Sequence, residues 1–250
     1  MSKLKNKVAV ITGGNSGIGL GIAQEFKNEG AKGVIVGRNQ KTLDSAVAQL
    51  GDNFIAINAD VTNLDDLERV FKETAEKFGK IDVVVANAGG GAVGTVVTLG
   101  EADFDKTIDL NLKSVYFTVN KALPYLNDGS SIILIGSNAA HRAYPNFTLY
   151  GAAKAAVIFF AKAFSSDLLG RKIRVNVITP GTTDTPAFEQ FVPAEQIEAI
   201  KAHFAGEMPI GRIGQPSDIG KTAVFLASDD SSFLLGTEIL VDGGMTYLSK

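Results

Sequence analysis

The chain is predicted to form a single α/β domain over residues 1–250, in which helices cover both faces of a doubly wound, seven-stranded parallel sheet. Two observations predict this class. Short apolar runs of strand length alternate with helical patterns, and the connections between them are short. Parallel strands require such crossovers, because the chain must return to the same edge of the sheet before the next strand begins.

The first half of the chain alternates four times between strand and helix. The continuous apolar run Val8–Ile11 indicates a strand that is buried on both faces. A helical pattern from Ile18 ends near Gly30, and a second helix rich in leucine and alanine ends at Gly51. A third helix is predicted over 64–78. The remaining strands of this half are predicted at 34–36, 54–57 and 83–86.

The second half continues the alternation with longer elements. Helices are predicted from about 101 to 127 and from 150 to about 169. Residues 182–215 do not fit the alternation, and we expect this insertion to form a substrate loop. The strands of this half are predicted at 132–135, 173–178 and 238–241.

Composition excludes several classes of function. The formal net charge is -3, so no nucleic-acid or anionic-membrane partner is implied. The absence of cysteine excludes disulfides, thiolate catalysis and cysteine-ligated metals. His141 and His203 are too few for a typical zinc site, so we expect no metal. The apolar run after the basic N-terminus is too short for a signal peptide or a membrane span, and we expect a cytoplasmic location.

A glycine-rich turn joins the first strand to the first helix. Gly13, Gly17 and Gly19 follow a G-x-x-x-G-x-G spacing. Such a turn can hold the pyrophosphate of a dinucleotide, because backbone amides approach it closely and a helix N-terminus favours negative charge. The alternative is a turn that serves geometry alone. The strand before it and the helix after it favour binding.

The end of the second strand predicts which cofactor binds. A carboxylate there would hold the ribose 2′-hydroxyl of NAD(H), but the chain has Gly37-Arg38-Asn39. Arg38 offers a positive charge and five donors to a 2′-phosphate. The alternative is an ordinary loop arginine in solvent. We expect NADP(H) rather than NAD(H).

Tyr150 and Lys154 are four residues apart and therefore share one face of a helix. The ordinary pKa of a phenol is about 10, and a fixed ammonium nearby would stabilise the phenolate and lower that pKa. The pair then suits proton transfer to or from a substrate oxygen. The same spacing is common in ordinary surface helices, so its interpretation depends on the other motifs.

The order and spacing of these motifs resemble the short-chain dehydrogenase/reductase family over nearly the whole chain. The resemblance implies a Rossmann fold and an oxidoreductase that uses a nicotinamide cofactor. The matching segments are Thr12-Gly13-Gly14-Asn15-Ser16-Gly17-Ile18-Gly19, Asn58-Ala59-Asp60-Val61, Asn87-Ala88-Gly89, Asn111, Ser137, Tyr150 with Lys154, Pro180-Gly181 with Thr185, and Val241-Asp242-Gly243-Gly244.

The resemblance also implies residue roles. Ser137 would hold the substrate carbonyl oxygen, and Tyr150 would exchange the proton. Lys154 would lower the pKa of Tyr150 and hold the nicotinamide ribose, and Asn111 would place a water in the proton relay. A turn serine and a helix cap are the alternatives for Ser137 and Asn111. The predicted cofactor contacts are Tyr150 and Lys154 with Gly13, Asn15, Ser16, Gly17, Ile18, Gly19, Arg38, Asn39, Asp60, Val61, Asn87, Ala88, Gly89, Pro180, Gly181, Thr183 and Thr185.

The chain departs from the family pattern at three positions. Gly136 precedes Ser137 where the family often has serine, and Ala86 stands where many members have a first asparagine. Thr183 replaces the usual β-branched aliphatic residue expected against the nicotinamide. None of these changes removes a catalytic group.

We therefore expect reversible hydride transfer between NADP(H) and an alcohol/ketone pair. Substrate walls are expected from 90–98, 138–148 and 182–206, which carry few charges besides the polar exceptions His141 and Arg142. An apolar, bulky carbonyl compound is the expected substrate. The apolar wall candidates are Val93, Val96, Tyr144, Phe147, Phe188, Phe191, Val192 and Phe204.

Three other functions remain open. One alternative is a sugar dehydrogenase of the glucose type. Another is a 3-oxoacyl-thioester reductase, which would need a basic docking patch such as the cluster of Arg171, Lys172 and Arg174. A nucleotide sensor without turnover would need the glycines but not Ser137, Tyr150 and Lys154 together.

Two helices carry more apolar surface than an outer layer needs. The helix from 150 to about 169 is apolar nearly all round, and the segment 115–126 shows the same excess. Burial under the 182–215 insertion is one explanation. A two-fold interface between copies of the chain is the other, and the family resemblance implies dimers and more often tetramers. We expect a homotetramer.

Overall fold

In a computed structural model that describes residues 2–90, 93–186 and 194–249, seven parallel strands form one sheet in the order β3-β2-β1-β4-β5-β6-β7. The predicted doubly wound parallel sheet is therefore confirmed. The strands are β1 Val8–Thr12, β2 Lys32–Gly37, β3 Phe54–Asn58, β4 Ile81–Ala86, β5 Leu126–Ile135, β6 Arg174–Pro180 and β7 Glu238–Val241.

Helices cover both faces of this sheet. A π-helical turn, Asp109–Lys113, joins the fourth helix to the fifth without a break. None of the described helices is long and apolar enough to cross a bilayer. The helices are α1 Gly17–Asn28, α2 Gln40–Leu50, α3 Leu64–Phe78, α4 Glu101–Ile108, α5 Ser114–Ala122, α6 Thr148–Asp167, α7 Ile197–Glu207 and α8 Pro216–Ala227.

Each face of the sheet has its own apolar core, because successive strand residues point to opposite sides. Val10 packs into the cluster under α3, α5 and α6, whereas its neighbour Ile11 packs into the cluster under α1, α2 and α8. Both residues are fully buried. This explains why the strands are continuous apolar runs rather than alternating ones.

Two parts of the sequence prediction were wrong or incomplete. The helix expected to reach residue 127 ends in a short turn, Leu123–Tyr125, and Leu126 already pairs with Ile81 at the start of β5. The register then shifts before Val83 pairs with Ser131, so the strand contains an irregular segment that breaks its apolar pattern. Helices α7 and α8 were not predicted, and α7 lies inside the expected 182–215 insertion.

Strand order locates the site. β1 has β2 on one side and β4 on the other, so the chain reverses its direction of winding between β1 and β4. In open α/β sheets, ligands bind in the crevice that this reversal leaves beyond the carboxyl ends of the strands.

Candidate active site

A cleft of about 560 Å³ opens at this crevice. Most of the predicted cofactor and catalytic residues line it. Asp60, Asn111 and Thr183 are the predicted residues that do not belong to its lining. The predicted residues that line the cleft are Gly13, Asn15, Ser16, Gly17, Ile18, Gly19, Arg38, Asn39, Val61, Asn87, Ala88, Gly89, Ser137, Tyr150, Lys154, Pro180, Gly181 and Thr185.

The glycine-rich turn is held against β4 at distances that exclude side chains. Gly13 has a φ of 64°, and a Cβ there would lie 2.8 Å from the Asn87 Nδ2 atom. A Cβ on Gly19 would overlap the Gly13 carbonyl oxygen and would lie 2.6 Å from the same amide nitrogen. Glycine at these two positions therefore lets the turn close on itself beside Asn87.

Thr12 is a site-building residue whose own role the sequence analysis did not assign. Its hydroxyl accepts hydrogen bonds from the backbone amides of Asn87 and Ala88, at 3.0 and 3.1 Å. In return, the Asn87 side-chain amide donates to the Thr12 carbonyl oxygen at 2.9 Å. The ends of β1 and β4 are thus clamped together. Threonine directly before the first glycine was the available sequence signal.

The N-terminus of α1 lies at the cleft, with Gly17, Ile18 and Gly19 in its lining, so the free amides of the first turn face the cleft. Its first turn contains no acidic residue, so no side chain opposes an anion there. The helix is held by α8, since a Cβ on Gly21 would lie 2.5 Å from the Pro216 Cβ atom, and one on Gly220 would lie 2.7 Å from the Gly21 carbonyl oxygen. The unpredicted helix α8 therefore helps to fix the end of α1 that lies at the cleft.

At the end of the cleft that follows β2, Arg38 extends into solvent with 68% of its side chain exposed. Its Nη1 atom is 3.7 Å from Asp60 Oδ2. Asn39 is the N-cap of α2 and accepts a hydrogen bond from the Thr42 amide. Asn58 donates to the Arg38 carbonyl oxygen at 3.3 Å, so β3 steadies the loop that presents the guanidinium.

Ser137, Tyr150 and Lys154 meet at the opposite end, where β5 and α6 face each other. Lys154 is buried, and its ammonium donates to the Ile135 carbonyl oxygen at 2.8 Å. The same nitrogen is 5.7 Å from the centre of the Tyr150 ring. Burial lowers the pKa of Lys154 to about 8 because the charged form loses its hydration.

The pKa of Tyr150 differs from the expectation. Burial raises the pKa of this phenol above its ordinary value, and its hydrogen bond with Ser137 acts in the opposite direction. Loss of hydration therefore outweighs the hydrogen bond. The prediction that the Lys154 ammonium would leave Tyr150 with a lowered pKa was therefore wrong. The phenol is protonated at neutral pH.

Asn111 is fully buried in the π-helical turn between α4 and α5. Its Oδ1 atom accepts from the Gly90 amide at 3.0 Å, and its Nδ2 atom donates to the carbonyl oxygens of Gly90 and Thr107. A Cβ on Gly89 would lie 3.1 Å from Asn111 Oδ1 and 3.3 Å from Lys154 Nζ. The Gly89 backbone therefore lies close to both polar groups, where a side chain would crowd them.

The segment after β6 closes the cleft on the side of the glycine-rich turn. A Cβ on Gly17 would lie 3.2 Å from the Thr185 side chain, so the two segments approach closely. Thr183 is instead buried, and its hydroxyl donates to the Gly181 carbonyl oxygen at 3.0 Å. The expected contact of Thr183 with the cofactor therefore has no counterpart in the cleft lining.

Aromatic side chains form a series on the substrate side. Phe147 lies 6.4 Å from Tyr144 and 5.9 Å from Tyr150 between ring centres. The loop that carries Val93 is tied to this wall by a bridge between Gly94 and Phe147. Tyr144 and Phe204 also pack on a small apolar cluster of Met208, Ile213 and Met245. The predicted wall residues Phe188, Phe191 and Val192 lie outside the described residues.

These residues fit a dinucleotide. The glycine-rich turn forms a cradle that side chains would fill, the amides of α1 face it, and one continuous cleft joins it to Tyr150 and Lys154. Within residues 2–90, 93–186 and 194–249, no group of three histidine, aspartate or glutamate side chains could hold a metal ion.

Comparison with known proteins gives matches over nearly the whole chain. A family model described as enoyl-(acyl carrier protein) reductase matches residues 13–246. The oxidoreductase asL5 of Sarocladium schorii is 38% identical over 99% of each chain. A hydroxynaphthalene reductase-like protein, Arp2 of Metarhizium majus, is 36% identical over 96% of this chain and 95% of its own.

Solved structures give the same result. A Brucella melitensis protein titled short-chain dehydrogenase/reductase, glucose/ribitol dehydrogenase, superposes with a TM-score of 0.91 at 34% identity and covers 99% of both chains. A Serratia marcescens short-chain dehydrogenase/reductase variant superposes with a TM-score of 0.90 at 28% identity, over 98% of this chain and 99% of its own.

Proposed function

The chain belongs to the short-chain dehydrogenase/reductase family and is an oxidoreductase, and from that premise we propose that it transfers hydride reversibly between NADP(H) and an alcohol/ketone pair. The observation that carries this proposal is the junction of Ser137, Tyr150 and Lys154 at one end of a single cleft whose other end is the glycine-rich turn. A sensor without turnover would not need that junction.

The chain's own residues handle the substrate oxygen and its proton. A bound nicotinamide supplies or accepts the hydride. The hydroxyls of Ser137 and Tyr150 stabilise the negative charge that develops on the carbonyl oxygen. Because burial keeps the Tyr150 phenol protonated at neutral pH, this residue donates the proton that completes reduction.

Lys154 and Asn111 take part in returning a proton to Tyr150. With a pKa of about 8, the Lys154 ammonium is charged at neutral pH and stabilises the phenolate that Tyr150 leaves behind. Lys154 Nζ and Asn111 Oδ1 both lie within 3.3 Å of the point that a Cβ on Gly89 would occupy, a distance that supports a bridging water that reprotonates the site. Lys154 is also the residue proposed to hold the nicotinamide ribose.

The proposed cofactor is NADP(H). Arg38 supports it, because its largely exposed guanidinium stands at the adenine end of the cleft lining. A 2′-phosphate at this end would receive a charge-assisted hydrogen bond from it. The contact of Arg38 with Asp60 is long, at 3.7 Å, so little interaction is lost when the guanidinium turns to the phosphate.

The proposed substrate is an apolar, bulky carbonyl compound. The series of Tyr144, Phe147 and Tyr150 supports it, because flat apolar molecules pack well against aromatic rings. The name of the Metarhizium relative, a hydroxynaphthalene reductase-like protein, points to the same substrate class. The substrate loop at about 182–215 completes this wall in the proposal.

The acyl-thioester alternative is less well supported. Arg174 is buried, and its guanidinium donates to the carbonyl oxygens of Leu226, Ser228 and Ser231. It therefore takes no part in a surface patch that could dock an acidic carrier protein. Arg171 is likewise bonded to Asp128 at 2.8 Å.

A substrate panel tests the proposal. Oxidation of NADPH and NADH is followed with aromatic and aliphatic ketones, sugars and acyl thioesters. We expect the highest kcat/KM with a bulky apolar ketone and NADPH. Turnover confined to sugars or thioesters would contradict the substrate class, and the absence of any turnover would contradict the proposed reaction.

We also propose a homotetramer. Phe159 on α6 is 65% exposed and Tyr116 on α5 is 42% exposed, so the described parts of the chain do not cover this apolar face. The Tyr116 ring lies 6.0 Å from Phe160, which makes the face continuous across both helices. Sedimentation at micromolar concentration checks it: we expect a mass near four chains, and a fully active 26.3 kDa monomer would contradict it.

A further inference from the structure

Ser137 lies at the start of a short turn that follows β5. The Ala140 amide donates to the Ser137 carbonyl oxygen at 2.9 Å, and the His141 amide donates to the Asn138 carbonyl oxygen at 3.0 Å. Residues 137–141, which we call the serine turn, are therefore one hydrogen-bonded unit. A displacement at its His141 end is transmitted to Ser137.

The His141 end of the serine turn is bonded to β7. His141 Nε2 lies 2.6 Å from Glu238 Oε1, at the surface, and 23% and 19% of the two side chains are exposed. The same carboxylate oxygen accepts a hydrogen bond of 2.5 Å from the hydroxyl of Thr179 on β6. Because Thr179 is fully buried, it fixes the carboxylate in the position that reaches the turn.

The residue that precedes the serine turn is fitted to this arrangement. The Gly136 amide donates to the Ile178 carbonyl oxygen at 2.8 Å. A Cβ on Gly136 would lie 2.6 Å from the Thr179 hydroxyl oxygen and 3.0 Å from a methyl group of Val177. The serine found at this position in many family members therefore has no room beside Thr179.

The serine turn also rests directly on the helix that carries Tyr150. A Cβ on Gly151 would lie 2.7 Å from the Ala139 carbonyl oxygen. The position of the turn against α6 therefore sets the position of the Ser137 hydroxyl relative to the Tyr150 phenol. Contacts with α6 and with β7 together define that position.

We propose that His141 and Glu238 are positioning residues: their hydrogen bond anchors the serine turn to β7 and so aligns Ser137 with Tyr150 for catalysis. Neither residue touches the reacting atoms. The inference rests on the proposed function, because alignment of Ser137 matters only if Ser137 acts on the substrate. Small displacements of a catalytic group are costly in rate even when binding is kept.

A double-mutant cycle tests the proposal. His141→Leu, Glu238→Leu and the double variant are compared with the wild-type enzyme, with the best ketone of the substrate panel. We expect kcat to fall about tenfold in each single variant and no further in the double variant. KM for the ketone and Kd for NADPH should stay within about twofold, because neither His141 nor Glu238 lines the cleft.

Two variants serve as controls. Glu238→Gln keeps an acceptor for Thr179 and His141, so its kcat should stay within about threefold of the wild-type value. Lys3 forms an ion pair with Asp230, at 2.6 Å, on the surface, with 48% and 53% of the two side chains exposed. Lys3→Leu should leave kcat unchanged, because this pair anchors nothing near Ser137.

Hydrogen exchange adds a readout that needs no substrate. In Glu238→Leu the amides of Ala140 and His141 should exchange at least about tenfold faster, whereas the amides of α3 should keep their wild-type rates. Exchange that is unchanged at the turn would overturn the proposal.

The failures of the two proposals are distinguishable. A wild-type enzyme that reduces no carbonyl compound contradicts the proposed function, and with it the catalytic role of the pair. An active enzyme whose single variants keep kcat within twofold contradicts the positioning role alone. So does a double variant whose loss is the product of the two single losses.

Discussion

The two ends of the cleft differ in which atoms give them their shape. At the end that holds the glycine-rich turn, backbone atoms set the shape: Gly13 and Gly19 allow contacts that any side chain would block, and the side chains of Thr12 and Asn87 each hydrogen-bond the other residue's backbone. At the carbonyl end, side chains set the shape, with Tyr150 and Lys154 brought to Ser137 from a different element.

The two ends should therefore respond differently to amino-acid substitutions. A site shaped by the backbone depends on glycines, which have no side chain, so an added side chain damages it. A side-chain-built site depends on functional groups, so removed atoms damage it. A substitution at one end should therefore leave the other end largely unaffected.

The largest effect is expected for Tyr150→Phe. The substitution removes the proton donor and keeps the ring packing against Phe147. We expect carbonyl reduction to fall by at least about two orders of magnitude, the scale of general-acid catalysis, with NADPH affinity kept. Steady-state kinetics and a cofactor titration check both parts. Tyr125→Phe, outside the cleft lining, is the matched control, and near-normal turnover of Tyr150→Phe would refute the mechanism.

Arg38→Ala perturbs the adenine end. Loss of a charge-assisted pair of roughly 1.5–3 kcal/mol should weaken NADPH binding about ten- to a hundredfold and leave NADH binding nearly unchanged. The Michaelis constants for both cofactors measure this, with Lys41→Ala as a control that removes an equal charge three residues away. Equal effects on the two cofactors, or a wild-type preference for NADH, would contradict the interpretation of this loop.

Gly19→Ala tests the backbone-built end directly. The new Cβ would overlap the Gly13 carbonyl oxygen, so the turn must move away from its closed form. We expect Kd for NADPH to rise at least about tenfold, because backbone at this turn cannot relax without losing its close approach. Gly170→Ala, which meets no atom within 4 Å, should bind NADPH normally. Equal affinities in the two variants would show that the turn is not tightly packed.

The smallest effect concerns the pH dependence of stability. The folded-state pKa of Lys154 is lowered to about 8 from an ordinary 10.5, so between these values the unfolded chain binds more protons and stability rises with pH. Below about pH 8 both states are protonated and the cost of burying the ammonium is fully present. Between pH 8 and pH 9 the wild-type protein should gain roughly 1 kcal/mol in unfolding free energy relative to Lys154→Met.

Denaturant unfolding of both proteins at the two pH values measures this gain. If wild type and Lys154→Met change in parallel with pH, the buried ammonium does not have the lowered pKa.

Much of the fold was predictable because the evidence for it is local. The apolar runs of β1, β2 and β4 reflect burial on both faces, and the glycine-rich turn reflects a close approach of backbone to backbone. The family resemblance drawn from these motifs is confirmed. Elements in which apolar and polar residues follow no clear periodicity were harder to predict. Helix α8 begins with Pro216 but was missed, and β5 is interrupted after Leu126, where residues that lie out of register carry no apolar alternation.

The sequence by itself determined the fold class, the family and the residue types of the candidate site, because strand periodicity and motif spacing are properties of neighbouring residues. Tertiary structure decided the orientations, the burial and the pKa values that depend on contacts between distant segments. It turned the Asn111 side chain toward Gly90 through a π-helical turn, buried Thr183 away from the cleft, and raised the pKa of Tyr150 through loss of hydration. It also bonded His141 to Glu238, 97 positions away in the chain, a contact that no local pattern encodes.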